Sequence, residues 1–498
     1  MISNREFWKL GTVFAVVYFV QGMSGLPSLP IQYLMKNVMK LDPSQAQYFA
    51  SATMLAWLVK PLWGYISDTF PIFGYRRKPY LIGMSLFAAF SWFGLAWMAY
   101  ERNFNYWGLL IMFNLSAAAY AFVDVVCDGL MVTKGQATKL VDAFVNIQWF
   151  GIGIAGIFTG LVSGFFAETA NKNMDFYPYI FAGAGIIPIL TAVIVILCVT
   201  EERVSIGFAR KKFLFSVVLL AVVAAAGMHV IPYFLALGGS NKILFITGIF
   251  LFVSLIIWLW SGKPKLFWMI TAFVFFWKFS PSVGMASFYY FSEVLKFPER
   301  FFGYLDSIGS VSWVAGIILY GWLLKKYPGI SRKTYLYFSV LLSAFGLFLG
   351  YLYYLDPRTM IFGLSLNFSA IAVISAVFFS LLGAPSFLLP LAIAGDAAKS
   401  GKEAITYAWF MSVSNFAGTM SSFTGGWLYE NLQNTDLSSL AVFIGTGDFL
   451  GAEANKALLL RLFVWISALF TLFTIPLILF TNIPERKESG EYGREKGS

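Results

Sequence analysis

The sequence predicts an all-α polytopic membrane protein of fourteen spans, two six-helix halves with an inserted two-helix hairpin between them. Three observations carry that prediction. The 498 residues are 59% hydrophobic and only 12% charged, against about 45–50% apolar and about 25% charged in soluble chains. The apolar residues fall in runs long enough to cross a bilayer, which takes about 20 residues. The runs also repeat, the first six against the last six. This composition, with a mean hydropathy of +0.73, excludes a soluble globular enzyme, a disordered scaffold and a disulfide-stapled protein.

The first six runs lie at 8–34, 46–67, 80–99, 106–132, 140–166 and 177–199. The first is too long for a cleaved signal peptide and has no small-residue cleavage site. A charged stretch from Glu201 to Lys212 ends this half. Two runs at 213–237 and 242–261 follow, joined by the tight turn Gly238-Gly239-Ser240-Asn241. After Lys263-Pro264-Lys265 come six more, at 266–291, 301–324, 334–355, 360–396, 403–429 and 457–482. The expected division is therefore a six-helix half at 1–200, a linker and hairpin at 201–265, a second half at 266–483 and a disordered tail at 484–498.

Charge orients the bundle. With both termini inside, the cytoplasmic loops collect 23 of the 35 basic residues, ten fall outside, and Lys60 and Lys278 lie within spans. That bias is what positive-inside sorting produces. The net charge of +10 is thus a matter of topology, and no nucleic-acid partner is expected.

The repeat has local detail. The stretch 60–79, K-P-L-W-G-Y-I-S-D-T-F-P-I-F-G-Y-R-R-K-P, aligns with L-Y-G-W-L-L-K-K-Y-P-G-I-S-R-K at 319–333. Gly64 matches Gly321, Asp68 falls on Lys325 and Pro71 on Pro328. Phe158-Thr159-Gly160 is echoed by Phe423-Thr424-Gly425. Parallel repeats about an axis along the membrane normal are the organisation of major facilitator carriers, whose substrate site lies near the midplane between the halves.

At these residues the chain resembles the folate–biopterin transporter family of the major facilitator superfamily. The likeness is carried by the block 45–81 with its K-P-L-x-G-x-x-S-D-x-x-P-x-x-G-x-R-R pattern, and by Asp124-Val-Val-Cys-Asp128-Gly129. It continues around Gln148 and Gly164, in F-S-P-S-V-G-M-A-S-F-Y-Y-F at 279–291, and in F-G-Y-L-D at 302–306. It implies a secondary carrier of folates, pterins or, in some branches, related metabolites such as S-adenosylmethionine. A nucleotide-like or drug cargo, or a non-transporting membrane receptor, is the alternative.

Intramembrane charge is costly, about 2.5–3.5 kcal/mol on insertion scales, so it marks functional candidates. Lys60 and Lys278 are expected to hold an anionic substrate, with Gln21, Gln148 and Tyr289 as further contacts. Pro61 and Pro281 follow the two lysines closely and are expected to kink or break their helices. Asp124 and Asp128 stand four apart, on one face of a helix. Two carboxylates there repel, and a proton on one relieves the repulsion, which suits proton coupling. One of them alternatively pairs with Lys60 or Lys278. Gly64, Asp68, Arg76, Arg77 and Asp396 are gating candidates at the cytoplasmic ends. Tyr289 and Tyr290 offer rings to a flat heterocycle.

Enzyme chemistry has little to work with. His229 is the lone histidine and lies in the hairpin, and Cys127 and Cys198 sit inside apolar runs. No metal, cofactor or catalytic residue is expected. The expected partners are a small-molecule substrate and the lipid bilayer, the expected state a monomer, and the expected location a bacterial inner membrane.

Overall fold

A computed structural model describes residues 4–138, 141–203, 241, 265–327, 329–355, 360–361, 364–365, 367–396, 403–435, 437 and 452–481. In the first half the chain forms α1 (Asn4–Met23), α2 (Ser28–Tyr33) with a π turn at Leu34–Val38, α3 (Pro43–Ala52), a 3₁₀ turn at Leu55–Val59, and α4 (Lys60–Thr69). Four long helices follow: α5 (Lys78–Tyr100), α6 (Tyr106–Thr138), α7 (Val141–Lys172) and α8 (Tyr177–Cys198). The second half has α9 (Lys265–Lys278), α10 (Gly284–Glu293), α11 (Glu299–Lys326), α12 (Arg332–Tyr351), α13 (Phe368–Asp396), α14 (Glu403–Leu432) and α15 (Ala452–Phe480). Among the described residues nine helices are long and apolar enough to cross a membrane. The protein is an integral membrane protein. The hairpin expected at 213–261, apart from Asn241, His229 and the tail at 484–498 lie outside the described residues.

Two expected spans differ in detail. The run at 360–396 is helical only from Phe368, because Met360–Ile361 and Leu364–Ser365 pair as a short antiparallel hairpin, Met360 opposite Ser365. The run at 46–67 is not one helix with a proline kink. It breaks after Ala52, passes through the 3₁₀ turn and restarts at Lys60, with Pro61 in the first turn of α4. That is where a proline costs least, since the first turn has no use for its missing N–H. Asp42 opens α3 with a reciprocal cap: its carboxylate accepts from the Gln45 amide at 2.8 Å, and the Gln45 side chain accepts from the Asp42 amide at 3.1 Å.

In the second half, α9 stops at Lys278 and α10 begins at Gly284, with Pro281 in the gap. This break was expected from Pro281. The freed backbone groups are taken up by α14. The Ser280 amide donates to Ser421 Oγ at 2.9 Å, and the Ser282 amide to the Ser421 carbonyl at 3.0 Å. Gly425 lets the two chains meet, for a Cβ there would collide with the Ser282 backbone.

Within the first half α5 lies against α8, and α1 against α7; within the second, α11 lies against α13, α12 against α15 and α9 against α14. Between the halves α14 meets α4 and α3 meets α10, and the two most extensive contacts are α3 with α14 and α7 with α11. The second is a seam of small residues. Gly153, Gly156, Gly160 and Gly164 of α7 face Val314, Ser310, Ser307 and Gly303 of α11. A Cβ on Gly160 would stand 2.6 Å from the Ser307 amide nitrogen and 2.8 Å from the Gly303 carbonyl oxygen. Ser307 Oγ donates across the seam to the Ile157 carbonyl at 2.8 Å. Small residues of this kind let membrane helices approach backbone to backbone.

The core is asymmetric. One buried cluster unites the halves, with Tyr33, Phe49 and Phe113 of the first packed with Met285, Phe288 and Phe423 of the second. It lies toward the membrane face away from the N-terminus, here called distal. Toward the other, proximal face, the first half packs around Phe14, Trp63 and Phe144, and the second around Phe273, Trp409 and Phe410, as separate clusters. The outer surface is apolar, with Phe90, Trp97, Leu197, Leu469 and Phe480 exposed, as a lipid-facing surface requires.

Candidate functional site

The break before Lys60 and the break after Lys278 place one lysine of each half deep in the molecule. Lys60 is buried, and its Nζ meets Asp124 Oδ2 of α6 at 2.6 Å, both side chains about equally shielded at 5% and 4% exposure. The Trp57 ring lies under the ammonium, 4.8 Å from centroid to Nζ. Of the pairings open to the two aspartates, the structure therefore takes Lys60 with Asp124. Asn415 Nδ2 of α14 donates to the Trp57 carbonyl at 3.4 Å, a contact from the other half.

Asp128, one turn along from Asp124, is held by hydroxyl and amide. Tyr18 donates its OH to Asp128 Oδ1 at 2.5 Å, and Gln148 Nε2 donates to the same oxygen at 3.3 Å. Gln148 Nε2 also lies 3.9 Å from Cys127 Sγ. Tyr18, from α1, was not among the expected site residues; a tyrosine in an apolar run gives no signal until its hydroxyl is seen on a carboxylate.

Lys278 is the last residue of α9. Its Nζ stands 4.3 Å from the centroid of the Phe387 ring of α13. Among the described residues no carboxylate pairs with it. Phe387 is itself in an aromatic chain that crosses between the halves. Trp149 of α7 meets it edge-on at 4.8 Å, Trp313 of α11 at 5.6 Å, and Trp149 reaches back to Tyr18 at 6.3 Å. Asp128, Tyr18, Trp149, Phe387 and Lys278 are thus contiguous. Trp149, Trp313, Phe387 and Lys278 are only half-buried, so this chain keeps open surface.

The other expected residues fall elsewhere. Gln21 lines a small cavity inside the first half with Ser85, Tyr120 and Thr191. Tyr289 is buried at the distal closure, donating its OH to the Leu41 carbonyl at 2.6 Å. Gly64 gives α4 close access to α6, with Val125 Cγ1 3.3 Å from where its Cβ would be. The loop of Arg76 and Arg77 turns through Phe73 and Gly74, both at positive φ, 53° and 83°. Its backbone amides at Arg76, Arg77 and Lys78 all donate to the Glu201 carboxylate, at 2.8 to 3.0 Å. Lys78 Nζ in turn donates to the Val199 carbonyl at 2.9 Å. A carboxylate caps the start of α5 and an ammonium the end of α8, each matched to the helix dipole it faces. Arg77 Nη1 donates to Ser67 Oγ at 2.8 Å. These described contacts stay within the first half. The side chains of Asp68 and Asp396 lie outside the described residues.

Polar contacts between the halves gather at the distal end, and the sequence reading named none of them. Gln47 of α3 donates to Ser422 Oγ and accepts from the Met285 amide at 2.9 Å. Tyr48 donates its OH to Glu430 at 2.6 Å. Lys36 reaches Ser292 Oγ at 2.7 Å and Glu293 at 3.3 Å. Asn171 donates to Glu299 at 2.7 Å, and Arg300 pairs with Glu168. Arg461 of α15 is wholly buried and donates Nε to the Tyr354 carbonyl at 2.7 Å.

Comparison with known proteins agrees with this architecture. A family profile described as the BT1 family matches residues 21–493. A folate-biopterin transporter of Synechocystis is 26% identical over 449 residues, 89% of this chain and 80% of that protein. Folate transporter 2 of Plasmodium falciparum is 26% identical over 447 residues, 87% of this chain and 84% of that one. Among solved structures, a D-xylose–proton symporter superposes with a TM-score of 0.58 at 16% identity, covering 92% of this chain and 96% of its own. At that identity the likeness concerns the fold, which is the major facilitator fold.

Proposed function

This chain belongs to the BT1 family, and from that premise we propose that it is a secondary transporter of a folate- or pterin-like organic anion, working by alternating access and coupled to protons. The observation that carries the substrate reading is Lys278. Among the described residues no acid partners this mid-membrane cation, which is expensive, and an anionic substrate would supply the opposite charge. Lys278 also rests on the Phe387 ring, which Trp149 of the expected first half, 1–200, meets edge-on. The names of the relatives point to the same chemical class.

Lys60 has a different place in this reading. Its ammonium is already matched by Asp124, so it contributes to substrate capture only if that pair opens. Asp128, with its oxygen shared by Tyr18 and Gln148, is the residue we assign to proton uptake and release. Protonation there would weaken the hold on both donors, because a neutral carboxyl accepts less strongly than a carboxylate. Both termini are assigned to the cytoplasm from the distribution of basic loops, and a bacterial inner membrane is the location we propose. The distal end is then the periplasmic one, and the united distal core supports reading this as an inward-facing form.

The test is uptake of radiolabelled folic acid and pterin-6-carboxylate into proteoliposomes under an imposed proton gradient. Saturable uptake that collapses with a protonophore is expected. Lys278→Gln should lower uptake at limiting substrate at least tenfold, and Asp128→Asn should remove the response to the gradient while binding persists. Wild-type liposomes that take up neither compound would overturn the substrate reading. Uptake indifferent to pH in wild type would remove the proton from the mechanism.

A further inference from the structure

The ammonium of Lys278 and the ring of Phe387 occupy each other. At 4.3 Å from the centroid, Nζ covers one face of the ring at van der Waals contact. A flat heterocycle stacked on that face would need the same space, since stacked carbon atoms approach to about 3.5–4.0 Å. Ammonium and heterocycle therefore compete for one surface. Around that surface stand Trp149 of the first half and Trp313 of the second, at 4.8 and 5.6 Å from Phe387. A ligand lying there borders both halves at once.

A carboxylate on the ligand resolves the competition. It offers the ammonium a charge-assisted hydrogen bond, stronger than the cation–π contact it leaves. The move uncovers the ring for the rest of the same molecule. We infer that Lys278 and Phe387 form a conditional stacking site, in which Phe387 accepts a flat aromatic ring only when a carboxylate on the same ligand draws Lys278 away. Phe387 is then a specificity-determining residue, framed by Trp149 and Trp313. The ligand class is a heteroaromatic acid, and ring and carboxylate bind cooperatively. The inference rests on the substrate reading above and goes beyond it by assigning the ring-recognition surface and the order of events.

The experiment uses the purified full chain and thermal-shift titration with three probes: pterin-6-carboxylate, unsubstituted pterin and glutarate. Wild type should bind pterin-6-carboxylate at least tenfold more tightly than either of the others. Phe387→Leu should weaken pterin-6-carboxylate about two- to tenfold, the range expected for one aromatic contact, and leave glutarate unchanged. Phe387→Tyr, which keeps a ring, should restore the preference. Lys278→Gln should weaken both acids and, by clearing the ring, strengthen unsubstituted pterin. That opposite movement is not produced by general loss of structure, and the melting temperatures without ligand report folding for each variant. If Phe387→Leu weakens glutarate as much as pterin-6-carboxylate, or Lys278→Gln leaves unsubstituted pterin no tighter, the conditional site is wrong while the substrate reading stands. If no pterin compound shifts wild type, both fall together.

Discussion

Lys60, paired with an acid, and Lys278, with no acid partner among the described residues, make opposite demands on their surroundings. Lys60 and Asp124 are both shielded from water and joined at 2.6 Å. Removing one partner of such a pair leaves a buried charge uncompensated, at a cost of about 3–5 kcal/mol, whereas replacing both with apolar groups can be nearly neutral. Asp124→Asn should therefore lower the melting temperature clearly, and Lys60→Met with Asp124→Leu should lower it less than the single change does. A double variant no more stable than Asp124→Asn would mean the two side chains are not a coupled pair. The charges themselves were conspicuous in the sequence, because Lys60, Asp124, Asp128 and Lys278 interrupt apolar runs. Their partners were not. The spacing allowed either aspartate with either lysine, and only the fold selects Asp124 for Lys60. Tyr18 stands 110 residues from the carboxylate it holds, and no local pattern announces a contact over that distance.

At the scale of elements, apolar length placed the spans and proline placed the breaks. Pro281 marked the interruption between α9 and α10 correctly, and Pro61 marked one whose form differed, a restart of helix instead of a kink. The start of α13 was misplaced, because the apolar residues at 360–365 include the small hairpin, and hydropathy alone does not separate strand from helix over so short a run. The seam between α7 and α11 was visible only as glycines in a helical stretch. Its tightness gives a sharp expectation. Gly160→Val would push a branched side chain into the Ser307 and Gly303 backbone, and overpacking of this order costs about 1–3 kcal/mol. Gly183→Ala of α8, with no atom within 4 Å of the added carbon, should leave stability unchanged or raise it slightly. Equal melting temperatures for the two variants would show that the seam yields.

Across the whole molecule, the halves share one buried cluster at the distal end and keep separate clusters toward the proximal end. The distal union combines an apolar cluster with a few hydrogen bonds, and the side chain of Gln47 is central because it holds Ser422 and the first turn of α10 together. The proposed alternating access requires these contacts to part. Gln47→Leu combined with Tyr48→Phe removes three bonds, each worth about 0.5–1.5 kcal/mol, and should shift the equilibrium toward distal opening by about tenfold or more. Alkylation of a cysteine placed at Met285, which keeps the backbone amide that Gln47 accepts from, by an impermeant maleimide added from the distal side measures that shift. An unchanged labelling rate would assign the closure to the apolar cluster alone. Arg461 bears on the molecule in time as well as in space. It lies inside one of the most apolar spans, and the carbonyl it needs is 107 residues earlier, at Tyr354. During synthesis α12 enters the bilayer well before α15, so the arginine arrives when its acceptor is already in place. The charge of a late-entering helix is thereby met by a carbonyl that entered early.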